Sequence, residues 1–223
     1  MINLLYVFIC TSIINYFSID RILPLSHFHH PANDNPLPAW NKEFRNEEEL
    51  INCLFDNYKL EDDALLLVCE TDLQSMKLFS LKGGMACYSV STSGKGTGNE
   101  EGSFQTPLGM HQIISVVCEN CKEGALIKGM IETRTKISPI KDSLQADGDY
   151  LTTRVLVLKG LDKGINSGGS FDSYQRGVVI HGTPEEGFIG QAKSKGCIRM
   201  YNDEIIQLSK MVSERKKVYL YIV

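Results

Sequence analysis

No stretch of this sequence is basic enough to follow a phosphate backbone. Its 223 residues carry 23 Lys and Arg against 27 Asp and Glu, a formal net charge of -4, with 5 scattered His. Nucleic-acid binders show a clustered Lys/Arg face, so no nucleic acid is expected as a partner. Zinc-type cysteine spacing is also missing. Cys118-Glu119-Asn120-Cys121 is a lone Cys-x-x-Cys without a second pair, which leaves a local disulfide or two free thiols in a loop. His27, His29 and His30 form a compact run, but no Cys or carboxylate stands at ligand spacing, so they read as solvated linker residues. The expected metal and cofactor content is none. A phosphate loop fails on spacing as well: Ser89 stands where the first Gly is needed, and Gly96 follows Lys95 where a hydroxyl is needed. Strand–helix–strand alternation and internal repeats are absent.

Long apolar runs are lacking except at the start, where 4–19 is uncharged. At about 16 residues it falls short of the roughly 20 that a spanning helix needs. No Lys or Arg precedes it and no clean small-x-small cleavage site follows. Within 1–23 a signal peptide and an uncleaved inner-membrane anchor both fit. Either one implies export to the periplasm or cell envelope. The bulky Val7-Phe8-Ile9 before Cys10 argues against a lipoprotein site. Residues 24–41 are rich in Pro and Asn and read as a linker, followed by Trp40 and Phe44 as docking candidates.

What is present is mainly β. Residues 46–58 predict a helix, with Asn46 as cap, three Glu in its first turn, and Leu50, Leu54 and Tyr58 as its apolar face. From residue 64 onward, β-rich runs follow at 64–70, 76–81, 85–91, 109–117, 126–133, 151–158, 177–181 and 217–223, with Lys82-Gly83-Gly84 as a hairpin turn. One further helix is predicted after 201, with Asn202 as cap and Ile205, Leu208 and Val212 facing inward. Short strands between glycine turns argue for a β-sandwich or open barrel, with one helix preceding the domain and one after the last glycine-rich loop. The expected division is 1–23 leader or anchor, 24–63 linker and helix, and 64–223 catalytic domain. Of the seven cysteines, 53, 69 and 87 lie in apolar runs and read as core.

Residues 177–200 carry the chemistry. A short strand ends on His181, turns at Gly182-Thr183-Pro184, and returns through a polar loop to Ser194-Lys195-Gly196-Cys197 and Arg199. On the strand, Val178 and Ile180 share one face while Val179 and His181 share the other. A free thiol has a pKa near ~8.5, and a neighbouring imidazolium lowers it by several units, which makes a thiolate nucleophile. Gly196 lets the backbone approach a developing oxyanion. A buried structural cysteine and a hydrogen-bonded structural histidine are the competing reading of the same residues.

The strings His181-Gly182-Thr183, Ile189-Gly190 and Ser194-Lys195-Gly196-Cys197-Ile198-Arg199-Met200 resemble the active-site signature of the L,D-transpeptidase (YkuD-type) family. Val90-Ser91-Thr92-Ser93-Gly94-Lys95 and Thr106-Pro107-Leu108-Gly109 are similar to that family's strand and turn elements. Many members carry His where this chain has Lys195. The resemblance implies a cysteine acyltransferase acting on peptidoglycan stem peptides, with a role in cell-wall biogenesis and cell shape. Cys197 is the implied nucleophile and His181 the base. Gly182 and Gly196 are implied orienting and oxyanion groups, the orienting atom being a main-chain carbonyl near Gly182. Ser194, Lys195 and Arg199 are implied substrate contacts, with bracing of the loop as the other reading of Arg199. Hydrolysis of stem peptides or cross-links and a non-catalytic wall-binding module remain as alternatives.

Overall fold

The computed structural model describes residues 46–215 and 217–223. The apolar run at 4–19, the histidines at 27, 29 and 30, and Trp40 and Phe44 lie outside them, and so do the leader, anchor and lipoprotein expectations. Among the described residues no helix is long and apolar enough to cross a membrane. The chain divides into two compact units, 1–60 and 61–223.

In the first unit, α1 (Glu47–Tyr58) starts where Asn46 accepts the Glu49 N–H at 2.9 Å. Three glutamates complement the positive end of its dipole, and Lys59 closes it in the left-handed region at φ 52°. Its buried residues are Ile51, Leu54 and Phe55, so the apolar stripe is rotated from the expected Leu50–Leu54–Tyr58 line.

The second unit holds ten strands: β1 (Leu65–Glu70), β2 (Ser75–Ser80), β3 (Gly83–Ser89), β4 (Gly109–Val117), β5 (Ala125–Lys128), β6 (Ile131–Lys136), β7 (Leu151–Gly160), β8 (Val179–Gly182), β9 (Ile198–Met200) and β10 (Val218–Ile222). The run expected at 126–133 is two strands. Gly129 and Met130, both left-handed at φ 56° and 62°, make the tight turn between them. Gly83 and Gly84 belong to β3 rather than to the turn before it. Neighbour pairing runs β3-β2-β1-β10-β4-β7, with β8 paired to β7 and β9 to β8; β5 and β6 branch from β7. Ser91, two residues past β3, pairs back with Arg199 of β9 through two 2.9 Å hydrogen bonds, so eight strands close into a ring. This is a mixed sheet of open-barrel type. The β1–β10 and β8–β9 pairs are parallel, and the other neighbours in the ring are antiparallel.

Alternation assigns the faces. Leu65, Leu67 and Cys69 of β1, Leu156 and Leu158 of β7, Ile180 of β8, Ile198 and Met200 of β9, and Val218, Leu220 and Ile222 of β10 join one buried cluster. The second helix, α2 (Asn202–Glu214), packs on β7, β4 and β8 and adds Ile205, Leu208 and Val212 to that cluster. Each such side chain contributes about 1.5–3 kcal/mol of transfer free energy. Cys69 is buried as expected, whereas Cys53 is part-exposed and Cys87 is exposed on β3, so neither is core. Cys118 and Cys121 are two unbridged thiols, and burial and hydrogen bonds with Cys118 and Glu132 push Cys121 up to about 12.

Candidate active site

The β8–β9 register builds the site. Ile180 lies opposite Ile198, His181 opposite Arg199, and Gly182 opposite Met200. Opposed side chains in a parallel pair share a face, so Ile180, Ile198 and Met200 turn to the buried cluster while His181 and Arg199 take the other face. Cys197, two residues before Arg199, falls by alternation on the His181 side. It packs there against a second, smaller cluster of Ile127, Val155, Val157 and Val179. Cys197, His181, Arg199, Ser194, Lys195, Asp149 and Leu151 line one cavity of about 90 Å³. A larger hollow, about 480 Å³, runs along the polar side of α1 and contains no His.

His181 is buried, and its Nδ1 lies 2.8 Å from Gly182 O. A carbonyl only accepts, so Nδ1 carries the proton and Nε2 keeps its lone pair. Burial pulls the His181 pKa down to about 4; the Gly182 carbonyl opposes this and the Arg199 charge adds to it. Cys197 is part-exposed and its thiol donates to Gly177 O at 3.7 Å. Desolvation pushes the thiol up to about 11, against a main-chain hydrogen bond with Val179 and the positive charges of Arg199 and Arg176, while Asp149 pushes it further up. Desolvation thus works against the thiolate and the imidazolium alike. Both groups have lost water, and that penalises both charges.

Arg199 is 3 % exposed, with Nη1 on Glu185 Oε2 and Nη2 on Asp149 Oδ1, each at 2.6 Å. Glu185 Oε1 accepts the Ala146 N–H at 2.8 Å, which completes that carboxylate. Each terminal nitrogen of Arg199 thus holds one carboxylate of the cavity wall, the contact that bracing requires, while among the described residues its Nε has no hydrogen-bond partner. Lys195 is largely exposed, and its Nζ stands 4.0 Å from Asp149 Oδ2.

Ser194 braces the turn before Cys197. Its Oγ donates to Cys197 O at 2.5 Å and accepts the Gly196 N–H at 3.2 Å. The Gly196 N–H is thereby occupied, contrary to the expectation that it faces an oxyanion. Glycine is needed at 196 for another reason: its φ is +121°, and a Cβ there would meet Gln105 O at 3.3 Å. At Gly182 a Cβ would stand 2.6 Å from Asn202 Oδ1 and 2.7 Å from Thr152 O.

Asn202 does not cap α2, because Tyr201 holds that position without a side-chain cap. The buried Asn202 side chain instead donates to Thr183 O and Glu186 Oε1, each at 2.7 Å, and accepts from the hydroxyls of Thr152 and Thr153. Sequence reasoning also missed Asp149, Glu185 and Arg176. Arg176 donates to Gly98 O, Asn99 O, Ser103 Oγ and Gln105 O, tying the loop at 98–105 to the residue before Gly177. None of these positions belongs to a short motif. A signal lay only in Arg176 standing three residues ahead of the strand that carries His181.

The fold and cavity define a class: mainly β domains with a small cavity lined by a cysteine and a histidine where two parallel strands meet. Within it, the chain belongs to the L,D-transpeptidase catalytic domain family (YkuD), which it matches over residues 68–220. Over 58 residues it is 41% identical to the YkuD protein of Bacillus subtilis (strain 168) and 38% identical to that of Bacillus licheniformis. Each match covers 24% of this chain and 35% of the relative, so the chain spans about a third of the curated relatives it matches. Among solved structures it is similar to an L,D-transpeptidase from Xylanimonas cellulosilytica, with 13% identity, TM-score 0.43, and coverage of 73% of this chain and 62% of that one. It is also similar to one from Mycobacterium smegmatis, with 15% identity, TM-score 0.41, and coverage of 71% and 58%.

Proposed function

We propose that this chain is a peptidoglycan L,D-transpeptidase of the cell envelope, with Cys197 as nucleophile and His181 as its base. One observation carries the reading: both side chains line the same small cavity, and His181 is fixed by Gly182 O in the tautomer whose Nε2 accepts a proton. Membership in the family supports peptidoglycan stem peptides as the substrate class, and the donor in this reading is a stem tetrapeptide ending in diaminopimelate–D-alanine.

Since desolvation disfavours both the thiolate and the imidazolium, proton transfer to Nε2 accompanies attack. The Cys197 sulfur bonds to the carbonyl carbon at the L-centre, and the Cys197 N–H faces the developing oxyanion. The C–N bond to D-alanine breaks, and His181 returns the proton to the leaving amine. A second stem's side-chain amine then resolves the thioester, giving the L→D cross-link. Ser194 holds the turn, and Arg199 holds the cavity wall.

Treatment of the protein with a carbapenem and intact-mass measurement tests the nucleophile. The expected result is one adduct on Cys197, absent in Cys197→Ala, with turnover of tetrapeptide reduced by about a thousandfold or more. An adduct elsewhere, or none, overturns the assignment. Muropeptide analysis of tetrapeptide reactions then separates transfer, seen as new L,D-linked dimers, from hydrolysis, seen as shortened monomers alone.

A further inference from the structure

The lining of the cavity that holds Cys197 contains an incompletely matched charge. Glu185 is satisfied on both oxygens, by Arg199 and by the Ala146 N–H. Among the described residues Asp149 is satisfied on one: Oδ1 holds Arg199 at 2.6 Å, while Oδ2 has only Lys195 Nζ at 4.0 Å, beyond hydrogen-bond length. The Lys195 side chain is 66% exposed, whereas that of Asp149 is 34% exposed. Arg199 is thus shared between two acids. The second half of the Asp149 charge is met by a loosely placed ammonium reaching in from solvent.

We infer that Asp149 Oδ2 is the docking point for the ammonium of the acyl acceptor, with Lys195 standing in its place when no acceptor is bound. This rests on the proposed transpeptidase reading and adds what selects the second substrate. An incoming ammonium reproduces the charge of Lys195 Nζ and can approach to hydrogen-bond distance, as the lysine does not. Water and hydroxyl acceptors bring no positive charge to exchange for it. Asp149 also lies in the same cavity as His181 and Cys197, so an amine held there is beside both the base and the thioester. The acceptor nitrogen gives one proton to His181 Nε2 and onward to solvent. The C–N bond forms as the C–S bond breaks, and the second proton goes to the departing sulfur, restoring the Cys197 thiol. The remaining hydrogen stays on the new amide. Asp149 is on this account a specificity residue for the second half-reaction.

The test uses the full chain, a tetrapeptide donor, and a soluble tripeptide stem ending in diaminopimelate as acceptor. Asp149→Asn keeps an oxygen for Arg199 and is expected to raise the acceptor KM about tenfold, with a smaller change in kcat. Carbapenem acylation, which involves no acceptor, is expected to stay within a few-fold of wild type in this variant, because the Asp149 charge raises the thiol and the His181 base together. Lys195→Met removes the resident cation and is expected to lower the acceptor KM, a shift that a purely structural role for the pair does not produce. An unchanged acceptor KM in an Asp149→Asn protein that still acylates overturns the inference while leaving the transpeptidase reading intact. Should Asp149→Asn lose acylation and thermal stability together, Lys195→Met decides, and an acceptor KM that stays level or rises counts against the inference. Absence of acylation in the wild-type protein would instead defeat the underlying functional reading.

Discussion

His111 and His181 are both buried with pKa values pulled down to about 4 by desolvation, and they do different work. His111 on β4 lies between Gly109 O at 3.0 Å and Ser173 Oγ at 2.9 Å, which pins the loop leading to Arg176 and Gly177. An unfolded histidine takes up its proton near pH 6.5, and these two do so only near 4 when folded. Between those values the unfolded chain binds more protons, so stability is present above pH 6.5 and is lost as pH falls toward 4. From pH 7 to 5 each contributes a loss on the order of 2 kcal/mol. Glu204 acts with the opposite sign. Desolvation, with Asp203 and Glu186 nearby, raises its pKa to about 7, and its Oε2 is buried without a hydrogen-bond partner among the described residues. Its folded form holds a proton that the unfolded chain releases near 4.5, so stability falls as pH rises from 4.5 to 7. Urea unfolding across pH 5 to 8 is expected to show a net rise toward neutrality, two histidines outweighing one glutamate. Glu204→Gln is expected to be more stable than wild type at pH 8, and a Glu204→Gln protein less stable there contradicts the buried-charge account.

At the scale of elements, the decisive contact is between the start of α2 and the ends of β7 and β8. Thr153 holds a left-handed φ of 70°, costly for a β-branched residue at about 1–3 kcal/mol, where the β7–β8 register shifts between Thr152 and Val155. Its hydroxyl is fixed by Asn202 and the Gly124 N–H, and the adjoining Thr152 also donates to Asn202. One buried amide therefore holds the shifted strand beside Gly182, whose carbonyl orients His181. Asn202→Ala leaves the Thr183 carbonyl and two hydroxyls short of partners, an expected loss of roughly 2–4 kcal/mol. Carbapenem acylation is expected to slow as the Gly182 carbonyl shifts. If thermal unfolding of Asn202→Ala matches wild type, that amide is not the clamp described. Asn202 was legible as a helix-start residue, yet its role was misread. Capping is a local rule, and the groups Asn202 meets come from residues 152, 153, 183 and 186.

For the molecule as a whole, closure of the ring depends on the last strand. β10 is buried along all five residues and joins β1 to β4. A chain stopped after Lys217 is expected to lose cooperative unfolding, because the ring opens at its centre and two long edges are exposed; a sharp thermal transition in that truncation would show the ring is dispensable. Near-neighbour physics let the sequence alone determine the Asn46 cap, the strand alternation that separates Ile180 from His181, and the inward residues of α2, while Cys197 and His181 were singled out by resemblance to a family signature. Strand β9 was too short to show a period, and the 126–133 run hid its turn because Met130 is not a usual turn residue. Tertiary structure alone decided that Ser91 meets Arg199, that Glu185 and Asp149 occupy the Arg199 fork, and that desolvation opposes charge on both Cys197 and His181. Each of these depends on which distant groups exclude water from the site, a quantity set by the packed fold and by no single stretch of chain.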